Sequence, residues 1–238
     1  MIGVWLHTFE FWIPALIVTA VAYLMGCFNG AVIISKYILR DDVRNHGSGN
    51  AGLTNFHRTF GGPLTAVVIL CDVLKAVVAL LFGGWLMSKM VPFDQVAFMG
   101  ISGTADTVRD WMVVDLEVLV KYWTALFCLL GHMFPCMFGF RGGKGILSGG
   151  TIAIMMDWRI ALVVWGGFLL LVILFRYISL GSVWAGASFP FATWVLYPSP
   201  IIVVLGFLCG GMVVWKHRAN IKRLVTGTES KFSLRKKK

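Results

Sequence analysis

Residues 63–88 read PLTAVVILCDVLKAVVALLFGGWLMS, and Asp72 and Lys75 are the only charges in the run. A helix rising 1.5 Å per residue needs about 20 apolar residues to cross a hydrocarbon slab of about 30 Å, so this stretch predicts a membrane span. A lone charge there would be costly. Asp72 and Lys75 are three residues apart, share a helix face, and are expected to pair as a structural lock or as a pocket wall.

Further apolar runs lie at 11–39, 116–138, 146–157, 159–176, 180–197 and 200–216. With 58% hydrophobic and 13% charged residues among 238, and a mean hydropathy of +0.81, lipid is the expected solvent for most of the chain. The expected fold is an all-α polytopic membrane protein, a bundle of about seven transmembrane helices. It forms one transmembrane domain over 1–230, followed by a basic tail at 231–238. The run at 146–157 is short for a full crossing and reads as a tilted half-helix or re-entrant piece.

The formal charge of +10 is unevenly placed: residues 216–238 hold nine Lys and Arg, and none precedes Lys36. The positive-inside rule then puts the C-terminus in the cytoplasm and the N-terminus outside. Seven crossings place the loops at 40–62, 141–145 and 176–179 on the cytoplasmic side and the acidic stretch 89–117 on the other. The excess charge reads as orientation and attraction to anionic lipid, with no nucleic-acid motif. The first run lacks a basic n-region and reads as a permanent span. The five cysteines lie in or beside apolar runs without metal-site spacing and read as small buried hydrophobes. Neither a metal nor another cofactor is expected.

Three polar segments gather on the predicted cytoplasmic side. In the first, Arg44 to Arg58, the glycines Gly47, Gly49 and Gly52 permit positive φ and a nest of amides around an anion. Ser48, Asn50, Thr54 and Asn55 supply hydrogen-bond donors there and Arg58 supplies charge. In the second, Gly131-His132 precedes Gly142-Gly143-Lys144-Gly145, which puts an ammonium and close backbone at a helix start. It is not a Walker loop, since Lys144 lacks the upstream glycine spacing and a following Ser or Thr. In the third, His217 and Asn220 share a face if the last helix continues through Glu229. Ser179 and Ser182, after Arg176, are weaker candidates for phosphate contact.

In order and spacing, Gly47-Ser48-Gly49-Asn50 with Thr54-Asn55 and Arg58, Gly131-His132 with Gly142-Gly143-Lys144-Gly145, and His217 to Glu229 resemble the bacterial glycerol-3-phosphate acyltransferases of PlsY type, which use acyl-phosphate donors. The resemblance covers about residues 12–230. It implies a multi-pass enzyme of the bacterial cytoplasmic membrane, its active site facing the cytoplasm. The implied reaction moves a fatty acyl group from acyl phosphate to the 1-hydroxyl of glycerol 3-phosphate, giving lysophosphatidic acid and phosphate. The substrates and membrane lipid are the partners it implies, and an obligate protein partner is not indicated. Ser48, Arg58 and Lys144 would contact phosphate, Thr54 and Asn55 would shape the first loop, His217 and Asn220 would lie near the reacting groups, and Ser179 matches a serine of the phosphate region. The chain departs from the family pattern at Gly26-Cys27, at Gly52-Leu53-Thr54-Asn55 and at Ile146-Leu147-Ser148.

Two alternatives are weighed by the residues themselves. A His-x-x-x-x-Asp acyltransferase is excluded, because positions 12, 51, 62, 137 and 222 are Trp, Ala, Gly, Met and Lys. A transporter of phosphorylated solutes would place polar groups at mid-membrane depth, whereas here they cluster toward one membrane face, with Asp72 and Lys75 the main exception, and no pair of inverted halves is evident.

Overall fold

The computed structural model describes residues 9–91 and 115–232. Among them there is no strand, and the long elements are helices. These are α1 (Phe9–Cys27), α2 (Gly30–Ile33, running into a π turn over Ile34–Ile38), α3 (Leu53–Thr59), α4 (Leu64–Met90), α5 (Leu116–Met133), α6 (Ile146–Met156), α7 (Trp158–Phe175), α8 (Ile178–Leu196), α9 (Pro200–Lys216) and α10 (Arg218–Val225). All seven expected apolar runs coincide with helices. Most of the acidic stretch 89–117 and most of the tail lie outside the described residues.

Local chemistry sets the helix ends. Asp115 caps α5 by accepting from the Glu117 amide at 2.8 Å, and Asp157 caps α7 through the Arg159 amide at 2.8 Å. Proline opens α9 at its first position, where its missing N–H leaves no helical bond unmade. Between α1 and α5, a Cβ on Gly131 would lie 2.0 Å from the Tyr23 carbonyl and one on Gly26 would lie 2.1 Å from that of Cys128. Small residues there let two backbones approach closely, as in membrane helix pairs.

The apolar surface is distributed as lipid solvation requires. Helix α7 buries Ile160 and Val164 but leaves Leu162, Leu169, Leu170, Ile173, Leu174 and Phe175 exposed. A water-soluble protein does not carry such a contiguous apolar face. The interior instead packs Tyr122, Met133, Ile152, Ile160 and Ile202, with the Tyr122 hydroxyl 2.8 Å from that of Thr193.

The number of crossings is less uniform than seven equal rods. Three of the described helical spans are long and apolar enough to cross by themselves, and five if each bent pair counts as one. The run at 11–39 is broken rather than continuous, with a 42° bend between α1 and α2. Asn29 causes the break by capping α2 through the Val32 amide at 3.0 Å, while Lys75 takes the freed Phe28 carbonyl at 3.1 Å. The last helix also fails to continue straight, bending by 56° between α9 and α10 at His217. Helix α6 has 11 residues, or about 16 Å of rise. It begins beside the last turn of α5, because the Gly142 and Gly143 amides donate to the Met133 and His132 carbonyls at 3.3 and 3.1 Å.

Candidate active site

The three polar segments meet at one end of the bundle. In the first loop, Asn55 is buried and acts as an internal strut. Its Oδ1 accepts from the Ser48 amide at 3.0 Å, and its Nδ2 donates toward the carbonyls of Val43, His46 and Asn50 at 2.9, 3.0 and 3.1 Å. Gly47 and Gly49 take φ of +55° and +68°, and a Cβ on Gly47 would meet Asn55 Oδ1 at 2.4 Å. The Gly49 amide donates to the His46 carbonyl at 2.9 Å. The expected amide nest is therefore corrected: the Ser48 and Gly49 amides are engaged inside the loop, and Asn55 holds the loop's shape. What the loop leaves free are the exposed hydroxyls of Ser48 and Thr54 and the Nδ2 of Asn50. Arg58 is exposed and donates to Ser230 Oγ at 3.2 Å.

Arg44 clasps this loop to the second. It forms a two-pronged pair with Asp42, at 3.0 and 2.7 Å, and donates to the Phe138 carbonyl at 2.7 Å. In the second loop the glycines serve close packing. A Cβ on Gly142 would lie 2.1 Å from the His132 carbonyl, and one on Gly143 would lie 2.2 Å from His132 Nε2 and 3.0 Å from the Ala51 carbonyl. Gly145 adopts φ +81° as the residue before α6, whose first turn has no side-chain cap.

Lys144, between those glycines, donates from Nζ to Asn220 Oδ1. Asn220 Nδ2 donates to Glu229 Oε1 at 2.9 Å, and Arg223 Nε donates to Glu229 Oε2 at 2.6 Å. Second and third segments are thus joined into one chain of groups. The bend at His217 replaces the expected continuous helix, yet it brings His217 and Asn220 to the same site: His217 is buried, and its Nδ1–H donates to the Val213 carbonyl at 2.8 Å. That bond fixes the neutral ring with its lone pair on Nε2.

Ser179 is buried at the start of α8, its hydroxyl facing the Glu229 carboxylate, which it helps to hold ionised. Ser182 differs, because its Oγ donates to the Ile178 carbonyl of its own helix at 2.9 Å. It is correspondingly a poor phosphate ligand.

Electrostatics separate these groups. Burial, then the charge of Arg223 and that of Arg58, lower Lys144 to about 8 against the upward pull of Glu229. Burial lowers His217 to about 4, its Val213 bond opposing and the Lys144 charge assisting. Burial raises Glu229, but the hydrogen bonds from Asn220 and Arg223 outweigh it and leave the carboxyl below its usual range. Three cations act around one carboxylate, so the site carries surplus positive charge.

An apolar cleft borders this site through the neighbours of its residues. The cleft, of about 360 Å³, is lined by Leu129, Gly145, Gly149, Phe189, Cys209 and Val213, among others. Gly145 follows Lys144 in the chain, and Val213 holds His217. Sequence reading gave no role to Glu229 or Arg44 and placed Arg223 only as a possible neighbour on the His217 and Asn220 face. Glu229 did carry a signal, as the only acid among residues 216–238.

The family described as Glycerol-3-phosphate acyltransferase matches residues 16–227. A glycerol-3-phosphate acyltransferase of Thermoanaerobacter pseudethanolicus is 33% identical over 217 residues, covering 91% of this chain and 95% of the relative. One of Clostridioides difficile is 35% identical over 223 residues, covering 93% and 97%. The crystal structure of PlsY (YgiH), an integral membrane glycerol 3-phosphate acyltransferase in its glycerol 3-phosphate form, superposes with a TM-score of 0.73 at 29% identity, covering 92% of this chain and 96% of that one. Its lysophosphatidic acid form gives 0.70 at 28% identity, covering 92% and 95%. With these matches spanning all three polar segments, the chain belongs to the glycerol-3-phosphate acyltransferase family of PlsY type, as a multi-pass membrane protein.

Proposed function

We propose that this protein transfers a fatty acyl group from acyl phosphate to the 1-hydroxyl of glycerol 3-phosphate, releasing lysophosphatidic acid and inorganic phosphate, at the cytoplasmic face of a bacterial inner membrane. One observation carries the reading: the cationic group of Lys144, Arg223 and Arg58 adjoins an apolar cleft through Gly145 and Val213. A donor with a phosphate head and a fatty chain, and an acceptor that is a small phosphate ester, match that pairing of charge and hydrocarbon space.

An acyl phosphate is an activated mixed anhydride, so the protein's task is to hold two anions together and orient them. The acceptor's 1-hydroxyl oxygen forms a bond to the acyl carbonyl carbon. The bond from that carbon to the phosphate oxygen breaks, and phosphate departs with the electron pair. His217, neutral above pH of about 4, offers Nε2 as acceptor to the hydroxyl, but it is a weak base. The phosphate, which departs as an oxyanion far more basic than this imidazole, is the better final proton acceptor and leaves as hydrogen phosphate. Ser48 and Lys144 act here as phosphate binders, Arg58 as a supporting charge and Asn220 as the group that aims Lys144. The one domain spans 1–230, with the tail as a lipid-facing basic extension.

The test supplies purified protein in detergent with glycerol 3-phosphate and either palmitoyl phosphate or palmitoyl-CoA. Lysophosphatidic acid should form from the acyl phosphate alone. Product from neither donor, or equally from both, would refute this reading.

A further inference from the structure

Asp72, Lys75 and His132 form a second polar cluster, buried inside the bundle at 3%, 6% and 3% exposure. The Lys75 ammonium donates to Asp72 Oδ1 at 2.7 Å and to the Phe28 carbonyl at 3.1 Å, and lies 2.7 Å from His132 Nδ1. An ammonium has three protons and no lone pair, so all three are engaged and Nδ1 must accept the third. The His132 proton is therefore on Nε2. Asp72 and Lys75 belong to one helix, so their ion pair joins no two elements. The links leaving the cluster run from Lys75 to the break after α1 and to His132, and from Ser148 of α6, whose Oγ donates to the Asp72 carbonyl at 3.1 Å.

His132 in turn faces the second loop. A Cβ on Gly143 would stand 2.2 Å from His132 Nε2 and 2.8 Å from Cε1, so the ring edge fills the space a side chain would take. The same stretch is pinned from behind by the Gly143 amide on the His132 carbonyl at 3.1 Å. Lys144 follows directly. We propose that the Asp72–Lys75–His132 cluster is a positioning device for the Lys144 turn: Lys75 sets the tautomer and tilt of His132, and the ring edge is the stop against which Gly143 rests. His132 thus acts through Gly143 on where the Lys144 ammonium stands, without itself touching substrate. A buried ion pair is weak as a source of stability, but it is well suited to hold one ring in one orientation.

The activity readout rests on the proposed reaction, so a second readout does not. Gly143→Ala removes no group that Lys75 bonds and drives a methyl against the His132 ring edge. His132→Asn leaves an amide oxygen for Lys75 and removes the ring edge. Each single variant should raise KM for a phosphate-bearing substrate about tenfold, a tenfold change corresponding to 1.4 kcal/mol, which a mere loss of folded protein does not do. Each should also change the rate at which acetic anhydride modifies Lys144 at neutral pH, read by mass spectrometry. The double variant should perform better than Gly143→Ala alone, because the ring that meets the new methyl is gone. Wild-type KM and wild-type Lys144 labelling in Gly143→Ala would overturn the proposal, as would strictly additive losses in the double variant. Should His132→Asn not fold, Gly143→Ala decides alone. Should the wild type transfer no acyl group, the reaction reading fails and the labelling still judges the positioning role.

Discussion

Lys75 and Lys144 are two ammonium groups near carboxylates in the same half of the bundle, and they differ in what is left over. Lys75 gives its three protons to Asp72, Phe28 and His132 and stands against one carboxylate in direct contact. Lys144 gives one proton to Asn220, and Glu229 reaches it only through that amide. Arg223 and Arg58 add charge around Lys144. The first cluster is closed and electrically balanced; the second is open and positively biased. An anion has nothing to bind at the first and two unclaimed protons at the second. A lysine's burial alone therefore does not mark a site, whereas its unused donors do.

The largest effect expected from breaking this contrast is a crossing of phenotypes. Lys144→Ala should lower acyl transfer on the order of 10²- to 10³-fold, as when a charge-stabilising donor is removed, with unfolding in detergent near wild type. Lys75→Met should do the reverse at the level of the fold. It leaves Asp72 buried without its partner and costs about 3–5 kcal/mol of stability, read by denaturant or thermal unfolding.

A smaller effect comes from removing the carboxylate of the open cluster. Glu229→Gln should reduce kcat/KM about tenfold, of the order of a lost charge-assisted hydrogen bond, because Asn220 and Arg223 lose a common anchor. It should also move the Lys144 titration below its present value, since the Glu229 charge raises it.

The pH profile sharpens the same point. Lys144 is held near 8, so it is charged at neutrality and its cation is lost as pH rises through about 8. The kcat/KM of the free enzyme should fall along that limb, and Lys144→Arg should abolish the limb by keeping its charge at every accessible pH. The smallest difference is between two serines. Ser48→Ala should weaken phosphate binding several-fold, of the order of one hydrogen bond, while Ser182→Ala should leave KM unchanged, because that hydroxyl is bonded to its own helix.

The helices were legible in sequence because lipid demands continuous apolar runs, and every run appears as a helix. The bends were not, since the local groups that make them, Asn29 and His217, act together with partners distant in sequence: Lys75 claims the Phe28 carbonyl, and Asn220 reaches Lys144. The three polar segments were visible as composition. Their internal division of labour was not, because Asn55 and Ser48 look equally able to bind an anion until burial shows that one is a strut and the other is free. Glycines misled in the same way: a motif such as Gly142-Gly143 is read as room for phosphate, whereas here it first makes room for His132 and Pro135.

The central claim is that the open cluster lets one substrate's hydroxyl attack the other's acyl carbon directly. Its most direct test is phosphate release from palmitoyl phosphate by the purified protein, followed with and without glycerol 3-phosphate. Release should require glycerol 3-phosphate and match lysophosphatidic acid mole for mole. A burst of phosphate without the acceptor, accompanied by acyl-modified protein, would contradict direct transfer.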